Sequence, residues 1–339
     1  MTPPVESSND PKKWRLRPPF TWKLVLGLMV FTVVLGYTGK RTGLDKVVTT
    51  VRQIIDEMVG LREESPAGKG VRRFATMAFP MVFSESKPVD ELTADEKENP
   101  PAFSYVITKQ ERVPDPSMRS GEALRFIEHS REYQVRPFAY LVLLFWEMLE
   151  TLEMALWGTI LSILLATPLA YLGAKGYSPH STLYFLSRGM CSLMRSVPEL
   201  ISALFFILVF GFGPVPGILA MGLHTAGFLG KFFADEIENA PKGPQEALAC
   251  LGTAQWKVLR FAVIPQVMPQ YLAYMQYILE RNVRAATVLG IVGAGGIGDE
   301  LLDKWNLAQY GHVSTILLVI FVTVFLLEHL TQHIRRKLI

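Results

Sequence analysis

Apolar and polar positions along this chain fall into long blocks rather than into the short alternations of a soluble domain. Six mostly apolar runs stand out, at roughly 20–38, 152–174, 183–211, 214–233, 267–295 and 312–331. A helix needs about 20 such residues to cross a hydrocarbon core. The pattern therefore predicts six membrane helices in an all-α, polytopic membrane protein.

Between the first two runs the pattern changes. "GLDKVVTTVRQIIDEMVGL" sets Val47, Val51, Ile54, Ile55, Met58 and Leu61 at helical spacing on one face, which predicts an amphipathic helix on the membrane or on the next helix. The stretch 84–120 is acidic, punctuated by proline and short of periodic apolar residues. It reads as a linker or a small extracytoplasmic cap.

Composition agrees with the blocks: half of the 339 residues are hydrophobic and only 19% are charged, against about a quarter charged in soluble domains. Lys12, Lys13, Arg15 and Arg17 precede the first run, as in a signal peptide, but the run is as long as a full span and no small-x-small cleavage site ends it. It is read as an uncleaved helix. Cys191 and Cys250 are the only cysteines, so no disulfide framework is implied.

Short loops rich in Lys and Arg face the cytoplasm. Lys175, Arg188 and Arg195 mark one such segment, Lys231, Lys242, Lys257 and Arg260 another, and Arg335, Arg336 and Lys337 the tail, whereas 212–217 has no basic residue and 299–310 has one. Both termini are expected inside. The segment 39–140 carries sixteen basic and sixteen acidic residues, and long loops cross largely regardless of charge, so it is expected outside. The expected layout is a tail (1–19), a first membrane helix (20–38), an extracytoplasmic insert (39–145), a five-helix core (150–333) with a cytoplasmic loop at 240–265, and a tail (334–339).

That loop, "APKGPQEALACLGTAQWKVLRFAVIPQVMPQ", is too polar to cross a bilayer. Ala247, Leu248 and Leu251, then Trp256 and Leu259, form two short apolar faces broken at Gly252. Two short helices meeting at a glycine would present a knuckle suited to a partner's groove. Glu246 and Ala247, Gly252 six residues after the glutamate, and Pro265 thirteen after the glycine resemble the "EAA" loop of bacterial ABC-importer permeases. The third motif position is Leu248 rather than alanine, and Ala262 and Ile264 stand where an aliphatic pair precedes the proline.

"RNVRAATVLGIVGAGGIG", "LHTAGFLGKFFADEIE" and "VIPQVMPQ" extend the likeness over about 150–339, and look like permeases of phosphonate-type importers, which carry phosphonate, phosphite or phosphate. Methionine-importer permeases share the glycine-rich stretch followed by Asp, so a methionine-permease-like type I fold is implied and another small solute such as methionine is the alternative. The resemblance implies a location in the bacterial inner membrane and a homodimer of permeases among its lipids. It also implies two ATPase subunits that bind the ATP and dock on the loop, and an extracytoplasmic substrate-binding protein. No nucleic acid is implied.

Charged groups at membrane depth are costly and mark function or pairing. Glu280 and Arg284 lie four apart on one face and can pair, while Arg281 and Asn282 point elsewhere. Either an arginine offers a positive site to a passing oxyanion, with Arg281 the sharper candidate, or Glu280 neutralises Arg284 and fixes packing. Arg195 and Glu199 flank Pro198, which bends or ends a helix. His224 and Thr225 lie inside an apolar span, as core hydrogen-bonding groups or as path-lining ones. Ala220, Gly222, Ala226, Gly227 and Gly230 allow close helix approach.

"VGAGGIGDELL" has the spelling of a dinucleotide-binding turn, Gly293-x-Gly295-x-x-Gly298. Such a site needs a second strand ending in an acidic residue about 20 positions on, and an unbroken apolar run stands there instead. Gly293, Gly295, Gly296 and Gly298 are therefore expected to form a close-packed or unwound element beside the permeation path, near its outer gate. No catalytic set, metal-ligand cluster or phosphate-binding GxxxxGK[ST] loop is present. The chain is thus expected to be a transport subunit with no cofactor or metal of its own, and a secondary transporter would leave the knuckle without purpose.

Overall fold

The computed structural model describes residues 22–59, 66–92, 100–101, 103–114 and 126–338. The expected tail 1–19, Leu61 and parts of the acidic stretch 84–120 lie outside them.

The chain divides into two compact units, 1–76 and 77–339. In the first, α1 (Trp22–Thr42) is apolar with no residue buried, and α2 (Leu44–Met58) is the amphipathic helix the spacing predicts. Gly43 joins them in the left-handed conformation, at φ 75°, which costs glycine little. A second amphipathic helix, α3 (Pro66–Ala78), which the sequence reading passed over, follows.

The second unit opens with a feature that the pattern did not predict. Strands β1 (Glu85–Pro88), β2 (Tyr105–Pro114) and β3 (Phe126–Arg136) form an antiparallel sheet in the order β1-β3-β2. Glu85 faces Arg136, and Tyr105 faces Val135. Tyr133 and Val135 are buried, Gln134 donates to Ser104 Oγ at 3.2 Å, and Arg131 pairs with Asp90 and Glu91, both at 3.2 Å. The segment expected to be a linker or a small cap thus contains a three-stranded antiparallel sheet.

The helical body follows: α4 (Ala139–Gly173), α5 (Ser181–Ser196), α6 (Glu199–Phe210), α7 (Pro214–Asn239), α8 (Lys242–Cys250), α9 (Gln255–Val258), α10 (Ile264–Leu289), α11 (Ile297–Asn306) and α12 (Tyr310–Leu338). A π-helical turn, Leu259–Val263, joins α9 to α10, and another, Gly290–Ala294, ends α10. Among the described residues, four helices are long and apolar enough to span a membrane, or up to six elements if each of two bent pairs counts as one span.

Two spans differ from expectation. The second begins at Ala139 rather than near 152, because Glu147, Glu150 and Glu153 interrupt its hydropathy without interrupting the helix. It therefore takes in the end of the expected insert. The run 183–211 is not one helix: α5 and α6 meet at 87°, across Val197 and Pro198. Proline lacks the amide that would continue the ladder, and it disfavours helical geometry in the residue before it.

α7 packs along α4 and against α5 through small residues. A methyl group on Gly222 would stand 2.6 Å from Leu161 Cδ2, and one on Gly227 2.6 Å from the Cys191 carbonyl. Close backbone approach of this kind drives helix association where lipid competes for apolar surface. Two buried clusters result. One gathers Leu144, Met154, Met221, Val283, Leu289 and Ile297; the other Leu229, Phe233, Val263, Tyr271 and Ile278. Phe233 and Tyr271 stack at 3.9 Å, and the Tyr271 hydroxyl donates to the Phe233 carbonyl at 2.8 Å.

Candidate functional site

At the end of the bundle where α4 and α7 finish, α8 and α9 form the expected pair of short helices. Gly252 joins them at φ 71°, with nothing within 4 Å of where a side chain would start. Its amide reaches the Ala249 carbonyl at 2.9 Å, and Thr253 Oγ1 donates to the Leu248 carbonyl at 2.8 Å. This satisfies the carbonyls that a helix end leaves open. Glu246, Ala247 and Pro265 are exposed, Leu251 is 78% exposed and Trp256 54%. The knuckle thus turns a carboxylate and two large apolar groups outward.

The knuckle is tied to the bundle by residues that sequence reasoning did not single out. Tyr177, between α4 and α5, donates to Gln245 Oε1 at 2.9 Å, and Gln245 Nε2 donates to the Ala240 and Pro241 carbonyls, both at 3.1 Å. Burial raises the Tyr177 phenol above its ordinary value, so it stays a donor. Arg188 holds three elements together: Nε donates to the Gly173 carbonyl of α4 at 2.8 Å, Nη2 to Glu238 of α7 at 2.8 Å, and Nη1 to Asp235. Glu238 also accepts the Lys175 amide at 2.7 Å. In the sequence, Arg188 counted only as a positive loop charge.

Deeper in the bundle, the predicted Glu280 to Arg284 pair is not formed. Glu280 accepts a hydrogen bond from the Thr331 hydroxyl of α12, and Arg284 is exposed. The competing partners come from other helices. Arg281 pairs across the bundle with Glu199 of α6, Nη2 to Oε2 at 3.2 Å, and its Nη1 is buried with no hydrogen-bond partner. Neighbouring Asn282, fully buried, donates to Thr159 Oγ1 at 3.0 Å.

Arg281 lies over the Phe228 ring at 5.5 Å, and Arg195 over the same ring at 5.1 Å, within the range of cation–π attraction. His224 is edge-on to that ring at 5.3 Å, and its Nδ1 is 3.0 Å from the Val197 carbonyl at the break between α5 and α6. His224, Phe228, Phe232 and Glu236 recur every four residues along one face of α7. Tyr274 extends the face from α10, at 5.2 Å from the Phe232 ring and with its hydroxyl 2.8 Å from Glu236 Oε1. Thr225 is fully buried and donates to the Met221 carbonyl of its own helix at 2.6 Å.

At the far end of α10 the glycines unwind the chain. Gly293 has φ 97°, its carbonyl accepts the Gly213 amide at 3.0 Å, and a side chain there would start 2.4 Å from the Phe212 ring. Gly295 and Gly296 lie against Glu150 and Thr151. Gly298 packs on the turn before it: an added methyl would be 2.1 Å from the Thr287 carbonyl oxygen and 2.8 Å from Gly290 Cα. Thr151 Oγ1 accepts the Ile297 amide at 3.0 Å, capping α11 from another helix. A cavity of about 540 Å³, lined by Leu204, Phe212, Gly293, Gly295 and Asp299 among others, opens beside this turn. The glycine element is close-packed and unwound, and no nucleotide cradle is needed to account for it.

Comparisons with known proteins bear on this geometry. The family described as binding-protein-dependent transport system inner membrane component matches residues 158–339. The chain is 45% identical to a Stutzerimonas stutzeri protein named as the phosphite transport system permease HtxE, over 77% of this chain and all of that one. It is 38% identical to the phosphate-import permease PhnE of Mycolicibacterium smegmatis, over 58% of this chain and 37% of that one. Among solved structures, an inward-facing form of the MetNI methionine ABC transporter superposes with a TM-score of 0.53 at 21% identity, covering 59% of this chain and 97% of that one.

Proposed function

Because the chain belongs to the family of binding-protein-dependent inner membrane transport components, a transport subunit and not an enzyme, we propose that it carries a small phosphorus oxyanion inward across the inner membrane. Phosphonate, phosphite and phosphate are the candidates. Relatives named for phosphite and phosphate transport support the substrate class, whereas the likeness to a methionine transporter speaks for the fold alone.

The observation that carries the reading is Arg281: a guanidinium inside the bundle with one nitrogen buried and unpartnered. Guanidinium donors match phosphate oxygens in paired geometry, and charge at membrane depth is costly without a purpose. The path then follows the α7 face of His224, Phe228 and Phe232, with Arg281 beside it. Glu280 and Arg284 support it from neighbouring positions.

Energy comes from a partner. ATPase subunits grip the knuckle at Glu246, Ala247, Leu251 and Gly252, with Pro265 at the start of α10 passing the motion on, and a substrate-binding protein delivers the anion outside. Gly293, Gly295, Gly296 and Gly298 form the element at the outer gate. Two copies complete the path, and a second copy or lipid covers the apolar surface of α6, where Leu208 is 86% exposed. Both termini lie in the cytoplasm.

Uptake of labelled phosphite or phosphate by cells relying on this importer tests the reading. Arg281→Gln should cut uptake roughly tenfold, the worth of one hydrogen bond to a charged group, while the permease still co-purifies with its ATPase. Uptake equal to that of the unmodified importer would remove Arg281 from the path.

A further inference from the structure

Glu199 engages Arg281 through one oxygen and one nitrogen, at 3.2 Å, and leaves Arg281 Nη1 buried with no acceptor. A guanidinium offers a planar fork of donors that fits two oxygens of one anion side by side. The pair as it stands uses half of that fork. Glu199 is also the first residue of α6, directly after the break at Pro198, so a hinge sets its position. Arg195, in the last turn of α5, lies over the same Phe228 ring as Arg281 and pairs with no carboxylate among the described residues. Two guanidiniums and one carboxylate leave this place one positive charge in excess.

We infer that Arg195 and Arg281 form a two-cation oxyanion site about Phe228, with Glu199 as its tethered counter-anion. The arriving oxyanion takes the paired donors of Arg281, and Glu199 is released together with the start of α6. When the substrate leaves, Glu199 returns. This rests on the reading that the Phe228 face borders the path.

The physical reason is an exchange of one anion for another. A bare arginine at membrane depth is expensive, and a site that held its oxyanion too tightly would not conduct, since transport needs binding weak enough to release. A tethered carboxylate neutralises Arg281 between turnovers and competes with the substrate during them. It therefore lowers retention and raises turnover together.

The test uses the full importer, permease with its ATPase, in lipid nanodiscs without the binding protein. Retention of labelled phosphate and labelled phosphite is measured by equilibrium dialysis, and uptake in proteoliposomes with the binding protein present. Glu199→Gln should raise retention roughly tenfold and slow uptake, because a neutral amide competes poorly for a guanidinium. Arg281→Gln should cut both roughly tenfold, Glu199→Asp should restore intermediate values, and Arg195→Gln should weaken retention with Glu199 in place.

Glu199→Gln retaining no more anion than the unmodified importer, with Arg281→Gln still defective in uptake, overturns the counter-anion and leaves the path. Normal uptake by Arg281→Gln overturns the path as well. Where Glu199→Gln fails to assemble, Glu199→Asp and Arg195→Gln decide: retention unchanged in both overturns the inference.

Discussion

The Tyr177 hydroxyl donates to Gln245 Oε1 at 2.9 Å, linking the loop after α4 to the residue beside Glu246 on α8. The same loop is fixed to α7 where the Lys175 amide meets Glu238, and Glu238 in turn is gripped by Arg188. A displacement of the knuckle is therefore felt at α4, α5 and α7 together. Tyr177→Phe removes only the hydroxyl. Binding-protein-stimulated ATP hydrolysis should persist while uptake per ATP falls a few-fold, in line with about 1 kcal/mol for one hydrogen bond. Reconstituted importers in which both rates are measured check this, and an unchanged ratio would show that the contact does not transmit.

Leu251 and Trp256 project from the knuckle with large exposed apolar surfaces. Leu251→Asp should abolish co-purification with the ATPase, since burying an unpaired carboxylate in a groove costs several kcal/mol. Gly252→Ala puts a side chain at φ 71°, a strain of about 1–2 kcal/mol, and should weaken the complex, whereas Gly252→Asn, which tolerates that region, should weaken it less. Pull-down at graded salt would rank the three.

Thr151 supplies the acceptor for the buried Ile297 amide. Thr151→Val keeps the shape and leaves that amide unsatisfied, at a cost of about 1–3 kcal/mol. Thermal unfolding of the purified permease in detergent should shift downward for Thr151→Val and hardly at all for Thr151→Ser. Equal melting of Val and Ser variants would show that the amide finds another acceptor.

At Gly298 the obstacle is backbone, with a carbonyl oxygen 2.1 Å from where a methyl would go. Backbone yields less readily than the end of a side chain. Gly298→Ala should prevent assembly or uptake, while Gly189→Ala on α5, where nothing stands within 4 Å, should be neutral or slightly stabilising, as alanine is the better helix former. Comparable expression and uptake for both variants would argue against a close-packed turn.

Most of the helical body is legible in the sequence because lipid selects for long apolar runs, and the knuckle because its glycine and its two short faces are local. The errors are of a different kind. Glu147, Glu150 and Glu153 hid the first thirteen residues of α4, since hydropathy averages a carboxylate against its neighbours without regard to the surface it faces. Pro198 announced a break but not its 87° angle, which depends on what α6 packs against. The Glu280 to Arg284 spacing suggested a pair along one helix, yet Arg281 found its carboxylate 82 residues away. Long-range partners of this sort, like Thr151 for Ile297 and Arg188 for Asp235, leave no local trace. The sheet of β1, β2 and β3 was missed because few of its described side chains are buried, which blurs the alternation that marks a strand.

The break between α5 and α6 frees the Val197 carbonyl, and His224 Nδ1 lies 3.0 Å from it. One oxygen atom therefore registers how α6 is tilted relative to α7. An isotope placed in that single carbonyl would give a vibrational band whose frequency follows the histidine contact. The hinge carries its own spectroscopic gauge, readable in the working importer with no change to its chemical structure beyond that isotope.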